Sequence, residues 1–204
     1  MASTKPAVVF DYGNVLLDWD AHRIFEPFFP GGRPAIDAFF DEIGFVEWHR
    51  KQDAGRPFAE AIAELSARFP RYAHILPDYD ARYADSISGP IPGSVEILRR
   101  LKQAGFPLYG LSNYPAEKFR LDRPKYEFFG WFDDMVISGE VLLSKPDPAI
   151  FQLLLAKIGR SAQECIFIDD ALANVTTARE LGFIIIQFHT PEQLEKDLQQ
   201  LGIL

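Results

Sequence analysis

Residues 7–15 read AVVFDYGNV, a short apolar run that stops on Asp11 and is followed at once by Gly13 and Asn14. Four apolar residues rich in β-branched and aromatic side chains have the length and character of a buried strand. Aspartate is common in turns after strands, where its side chain bonds the next backbone amides. Taken alone, Asp11 reads equally well as such a turn residue or as a functional carboxylate, so its neighbours in the fold must decide.

From about residue 94 onward the chain alternates between helical and strand-like segments. SVEILRRLKQAG has apolar residues at helical spacing and Gly105 as a stop. FPLYGLSN reads as a strand ending in polar residues, Pro115 opens a helix running towards Phe129, and DDMVIS is a further strand. DPAIFQLLLAKIG follows with Asp147 as cap, Pro148 in the first turn and Gly159 as terminator. CIFIDD and FIIIQF are strands around the helix ALANVTTARELG, and Thr190 and Gln193 are spaced as a capping box for the last helix. Such alternation predicts an α/β protein with a doubly wound, Rossmann-like parallel sheet.

Residues 18–90 break the rhythm. They are rich in aromatics, carry patterns such as FAEAIAELSARF, and show no strand-like run. The expected organisation is a core domain of residues 1–17 and 91–204, with residues 18–90 inserted as a helical cap subdomain. An insert after the first strand can lie over the sheet's C-terminal edge, where open α/β sheets bind ligands.

Composition narrows the partners. Acidic residues outnumber basic ones 29 to 21 and the net charge is −8, which disfavours a nucleic-acid or anionic-membrane surface. A single cysteine, Cys165, excludes an internal disulfide framework and a multi-cysteine metal site; within CIFID it reads as a buried core thiol. MASTKPAVVF lacks the apolar stretch of a signal peptide and no run has membrane-spanning length, so cytoplasm is the expected compartment. The oligomeric state is left open.

The strands end in polar groups: Asp11, then Ser112 and Asn113, then Asp169 and Asp170, with Lys145 just before a helix start. In a parallel sheet these converge on one edge. Two carboxylate centres, a hydroxyl and an ammonium suit phosphoryl transfer, in which a carboxylate attacks phosphorus and cations balance the charge. Each has a plainer reading as well. Ser112 and Asn113 can cap the helix after Pro115, Lys145 can be a solvated surface lysine, and one of Asp169 and Asp170 can cap the next helix. Adjacent carboxylates at a strand end repel one another, however, and a cation relieves that.

Four segments together resemble the haloacid dehalogenase superfamily of hydrolases: FDYGNV as its first motif, LSN as its second, SKPDPAIF as its third and FIDDALANVTTARELG as its fourth. The DxGNV form and the insert look most like small sugar-phosphate phosphatases with a C1-type cap. The resemblance implies that Asp11 is the nucleophile and that Asp11, the carbonyl of Gly13 and Asp169 or Asp170 hold Mg²⁺. Ser112 and Lys145 would then bind phosphoryl oxygens, with Asn113 and Asn14 assisting, and Asn174 would order the last motif. Within the insert, the Trp48, His49 and Arg50 cluster is a candidate for reading the leaving group. Trp48 reads better as part of a helix face packed onto the sheet, His49 equally well either way, and Trp19 equally well as packing under the cap or lining the pocket. His22, His74 and His189 show no metal-ligand spacing.

The commoner family pattern carries a second aspartate, the general acid, where this chain has Gly13. Asp18, Asp20 and His49 are the nearest replacements. The expected function is Mg²⁺-dependent hydrolysis of a small phosphorylated metabolite, a sugar phosphate among the options. The alternatives are a 2-haloacid dehalogenase, which needs no cation at the fourth motif, and a degenerate member that binds a phosphorylated ligand or partner without efficient turnover.

Overall fold

The computed structural model describes residues 5–204; residues 1–4, assigned above to the core domain, lie outside the described residues. The strands are β1 (Ala7–Phe10), β2 (Leu17–Trp19), β3 (Ile87–Pro90), β4 (Leu108–Ser112), β5 (Asp134–Ile137), β6 (Cys165–Asp169) and β7 (Ile184–Gln187). Five of them form a wholly parallel sheet in the order β5-β4-β1-β6-β7. Strand β1 is central and every one of its residues is buried, as a strand covered on both faces requires. Alternate side chains go to opposite faces. Val8 and Phe10 pack with Ile166 and Ile168 on one, and Ala7 and Val9 with Cys165 and Phe167 on the other.

Helices Pro92–Gln103, Ala116–Asp122, Pro148–Ile158, Leu172–Glu180 and Pro191–Gln200 connect or follow these strands. Asp147 caps its helix by accepting from the amide of Ala149 at 2.9 Å, and Gly159 ends it with φ at 65°. Two local expectations are corrected. The helix opened by Pro115 stops at Asp122 instead of reaching Phe129 and continues as 3₁₀ turns, because Pro124 has no amide to donate. At the last helix Thr190 accepts from the amide of Gln193, but Gln193 reaches back to the amide of His189, one residue short of a reciprocal box.

Between His22 and Ser86 the chain is helical, as an insertion into the α/β core. Its interior is aromatic: Tyr79 lies 4.7 Å from Trp48 and 5.2 Å from Phe58, ring centre to ring centre. The expectation that residues 18–90 hold no strand is corrected. β2 and β3 pair antiparallel, Leu17 with Pro90 and Asp18 with Gly89, as a ribbon that carries the chain into and out of the helical segment. Strands of three and four residues, the second holding Gly89 and Pro90, give no strand signal of their own. The insertion is tied to the core where Ser138 Oγ donates to the carbonyl of Asp53 at 2.5 Å and Lys118 Nζ to that of Asp80 at 2.8 Å. No helix among the described residues is long and apolar enough to cross a membrane.

Register sets the site. Phe10 pairs with Gly110 on one side and Ile168 on the other, so Asp11, Ser112 and Asp169 emerge at adjacent strand ends. Gly110 is required there: a Cβ would lie 1.6 Å from the hydroxyl of Tyr12, the residue that turns the chain after Asp11.

Candidate active site

The carboxylate that ends β1 is gripped from three directions. Asp11 Oδ1 accepts from Ser112 Oγ at 2.7 Å and from the amide of Tyr12 at 2.6 Å. Its Oδ2 lies 3.0 Å from Lys145 Nζ. Lys145 is buried rather than solvated; it also donates to Asp169 Oδ2 at 2.6 Å and to the carbonyl of Leu111 at 2.8 Å. Asn113 clasps the lysine's own backbone, donating to its carbonyl and accepting from its amide. Ser112 and Asn113 are thus not helix caps: the helix after them is capped by Pro115, without a side-chain bond.

Asp169 is fully buried. Its oxygens accept from Asn174 Nδ2 at 2.9 and 3.0 Å and from the amide of Ala171. Asp170 is less enclosed, with Asn14 beside it. Asn14 itself sits at φ 54°, a left-handed turn position that asparagine tolerates, and its Oδ1 accepts from the amide of Trp19.

The electrostatics follow from this crowding. Burial pushes the Asp11 carboxyl up to about 7; Lys145 opposes the rise, while the charges of Asp169 and Asp170 add to it. Burial and the charge of Asp169 also raise Asp170. For Lys145, burial alone would lower the ammonium, but the two carboxylates beside it outweigh burial and raise it. One ammonium therefore faces three acids. Asp11, Asp169 and Asp170 each offer an oxygen within 4.8 Å of the others, a set of hard donors with unbalanced negative charge that fits Mg²⁺.

Beside this cluster opens a cavity of about 270 Å³, between sheet edge and insertion. Gly13, Asn14, Asn113 and Lys145 line its floor, and Leu17, Trp19, Tyr83 and Ile87 supply an apolar wall. His49, Arg50 and Asp53 come to it from the helix Phe45–Asp53. Trp48 does not: it faces the insertion's interior and donates Nε1 to the carbonyl of Ala61 at 3.1 Å. Asp18 and Asp20 are also drawn elsewhere. Arg23 holds Asp18 through two bonds of 2.9 Å, and Asp20 is paired with His22 and Arg33. Asp53 was not anticipated, although its position four residues after His49 on one helix was the available signal.

A strand-end nucleophile candidate, a buried lysine and a clustered pair of acids match the arrangement that one family of hydrolases builds. The family model for haloacid dehalogenase-like hydrolases matches residues 5–182. The chain belongs to that family. Among curated relatives, the sesquiterpene phosphatase astK of Aspergillus oryzae is 35% identical over 194 residues, covering 90% of each chain. The drimenol cyclase drtB of Aspergillus calidoustus is 26% identical over 202 residues, 96% of this chain but 36% of that protein, so the present chain spans about a third of its length. Among solved structures, a haloacid dehalogenase family enzyme of Bacteroides thetaiotaomicron superposes with a TM-score of 0.74 at 22% identity, over 92% of this chain and 95% of that one. The haloacid dehalogenase fold is therefore shared along nearly the whole molecule.

Proposed function

We propose that this hydrolase is a Mg²⁺-assisted phosphatase acting on a phosphate monoester with an apolar alcohol part. The observation that carries the reading is the grip on Asp11. Ser112 and the Tyr12 amide fix one oxygen and Lys145, which lines the cavity, fixes the other, so the carboxylate is held in a defined orientation beside the cavity.

In this reading a carboxylate oxygen of Asp11 attacks phosphorus in line with the ester oxygen; the O–P bond to Asp11 forms as the ester O–P bond breaks. Water then attacks phosphorus of the aspartyl-phosphate, returning free Asp11 and inorganic phosphate. Lys145 keeps a positive charge beside the phosphoryl oxygens throughout, and Ser112 supplies a hydroxyl to them. Asp11, Asp170 and the carbonyl of Gly13 would hold Mg²⁺, which supplies charge neutralisation to the phosphoryl group when bound. Asp170 is the freer of the two adjacent acids, since Lys145, Asn174 and the Ala171 amide already occupy the oxygens of Asp169.

Part of the cavity wall supports a choice between alcohols. Leu17, Trp19, Tyr83 and Ile87 offer hydrocarbon surface where a sugar would need partners for several hydroxyls, and a polar group buried without a partner costs about 1–3 kcal/mol. A terpenoid or similar hydrocarbon body suits that wall better than a sugar, and the relative astK is a sesquiterpene phosphatase. Haloacid dehalogenation fits less well, because Asp169 and Asp170 place extra negative charge where a 2-haloacid's own carboxylate would approach.

The test is phosphate release from a terpenyl monophosphate, a straight-chain alkyl phosphate and a sugar-phosphate panel, with Mg²⁺ and with a chelator. Expected is metal-dependent release with kcat/KM highest for the hydrocarbon esters. Preference for the sugars would overturn the substrate class; stabilisation by these ligands without any release would identify a binding protein instead.

A further inference from the structure

Gly13 leaves the reaction without a side-chain acid next to the nucleophile, and the reason is not lack of room. A Cβ built at Gly13 meets nothing within 4 Å. Some other group must protonate the departing alkoxide if an alkyl ester is to react at a useful rate. The described residues that line the cavity include one imidazole.

His49 is held on every side but one. Its ring stacks on Trp19 at 5.1 Å and 19°, and on Phe45 at 5.6 Å and 4°. Nδ1 is hydrogen-bonded to the hydroxyl of Tyr79. Nε2 lies 3.5 Å from Asp53 Oδ2, and the side chain keeps 15% of its surface open, on the cavity. Asp53 is itself buried, so its carboxylate gains from a positively charged imidazole beside it. At 3.5 Å the approach of Nε2 to Asp53 is longer than a settled hydrogen bond, and both side chains line the cavity, so the Nε2 proton can be shared with an oxygen bound there.

Resting on the phosphatase reading above, we propose that His49 is the catalytic acid for this reaction and that Asp53 and Tyr79 are its positioning residues. As the bond from phosphorus to the ester oxygen breaks, the Nε2 proton passes to that oxygen. The alcohol leaves neutral and His49 is left as neutral imidazole. In the second step Nε2 takes a proton from the water attacking the aspartyl-phosphate, which restores the imidazolium. The proton donor thus comes from the helical insertion rather than from the β1 loop.

The experiment compares a 4-nitrophenyl phosphate, whose leaving group needs no proton, with an alkyl phosphate, whose leaving group does. His49→Asn should lower kcat/KM for the alkyl ester by about 100- to 1,000-fold and for the nitrophenyl ester by under about tenfold. Adding Gly13→Asp to His49→Asn should recover much of the alkyl activity, since the position has room for a side chain. Equal losses on both esters, or no loss on the alkyl ester, would overturn the proposal and leave His49 as a packing residue. If His49→Asn does not fold, the wild-type enzyme decides: a shallow dependence of rate on leaving-group pKa supports a proton donor, and a steep one refutes it. Failure of the wild-type protein to release phosphate from either ester would instead overturn the phosphatase reading, and His49's role with it.

Discussion

The two walls of the cavity are built on different principles. The sheet edge is a lattice of charges in which nearly every polar atom is already spoken for: Lys145 alone touches Asp11, Asp169 and the Leu111 carbonyl. The insertion's wall is largely aromatic, and three of its polar side chains form a short relay from Tyr79 through His49 to Asp53. The first wall leaves no freedom to the reacting groups. The second can change its apolar surface without disturbing them. Nucleophile and charge balance on the rigid element, selectivity and the proposed proton donor on the inserted one, is the division this contrast teaches.

The contrast is broken most directly at its charged side. Asp11→Asn should lower phosphate release by roughly four to six orders of magnitude, as loss of a nucleophile does, while the fold persists. A modest loss would mean that Asp11 is not the attacking group. Lys145→Ala removes the one cation among three acids and leaves Asp11 and Asp169 without their buried partner. Destabilisation of about 3–5 kcal/mol in urea unfolding is expected beside the loss of turnover. Stability within about 0.5 kcal/mol of wild type would show that the cluster carries little of the local structure.

The aromatic side separates into two tryptophans. Trp48 is 3% exposed and fills the insertion's interior, so Trp48→Ala should cost about 3 kcal/mol or more of stability. Trp19 lines the cavity, so Trp19→Ala should raise KM for a terpenyl phosphate about tenfold, near 1.4 kcal/mol, with a smaller change for the nitrophenyl ester. If the two variants behaved alike, the division between packing and selectivity within the insertion would fail.

The smallest effect lies at the insertion's outer rim. The bonds from Arg33 and His22 outweigh partial burial and hold the Asp20 carboxyl at about 2, below its ordinary range. A depressed folded pKa stabilises above the unfolded value near 3.9 and loses that contribution as pH falls towards 2. Asp20→Asn should therefore lower Tm slightly at pH 7, with the difference from wild type shrinking between pH 4 and pH 2. A gap constant over that range would contradict it.

What the sequence made legible follows the same division. The parallel sheet was readable because β1, β4 and β6 are apolar runs that stop on polar residues, and because Asp147, Gly159 and Thr190 mark helix ends with side chains of known habit. Convergence of Asp11, Ser112, Lys145 and the two later acids followed from parallel topology. The ribbon β2–β3 was hidden, since its strands are short and one holds Gly89 and Pro90. The partners of Asp18 and Asp20 were hidden too, because Arg23 and Arg33 reach them through geometry that spacing does not express. So was the stacking of Trp19 on His49, two residues thirty positions apart that meet only once the insertion folds back over the sheet.

The most direct measurement is mass spectrometry of protein quenched in acid during turnover of an apolar phosphate ester with Mg²⁺. Expected is a phosphoryl adduct on the peptide that carries Asp11, absent from Asp11→Asn and absent when the metal is chelated. Phosphate release without that adduct, or release that persists in Asp11→Asn, would contradict a reaction carried by the carboxylate at the end of β1.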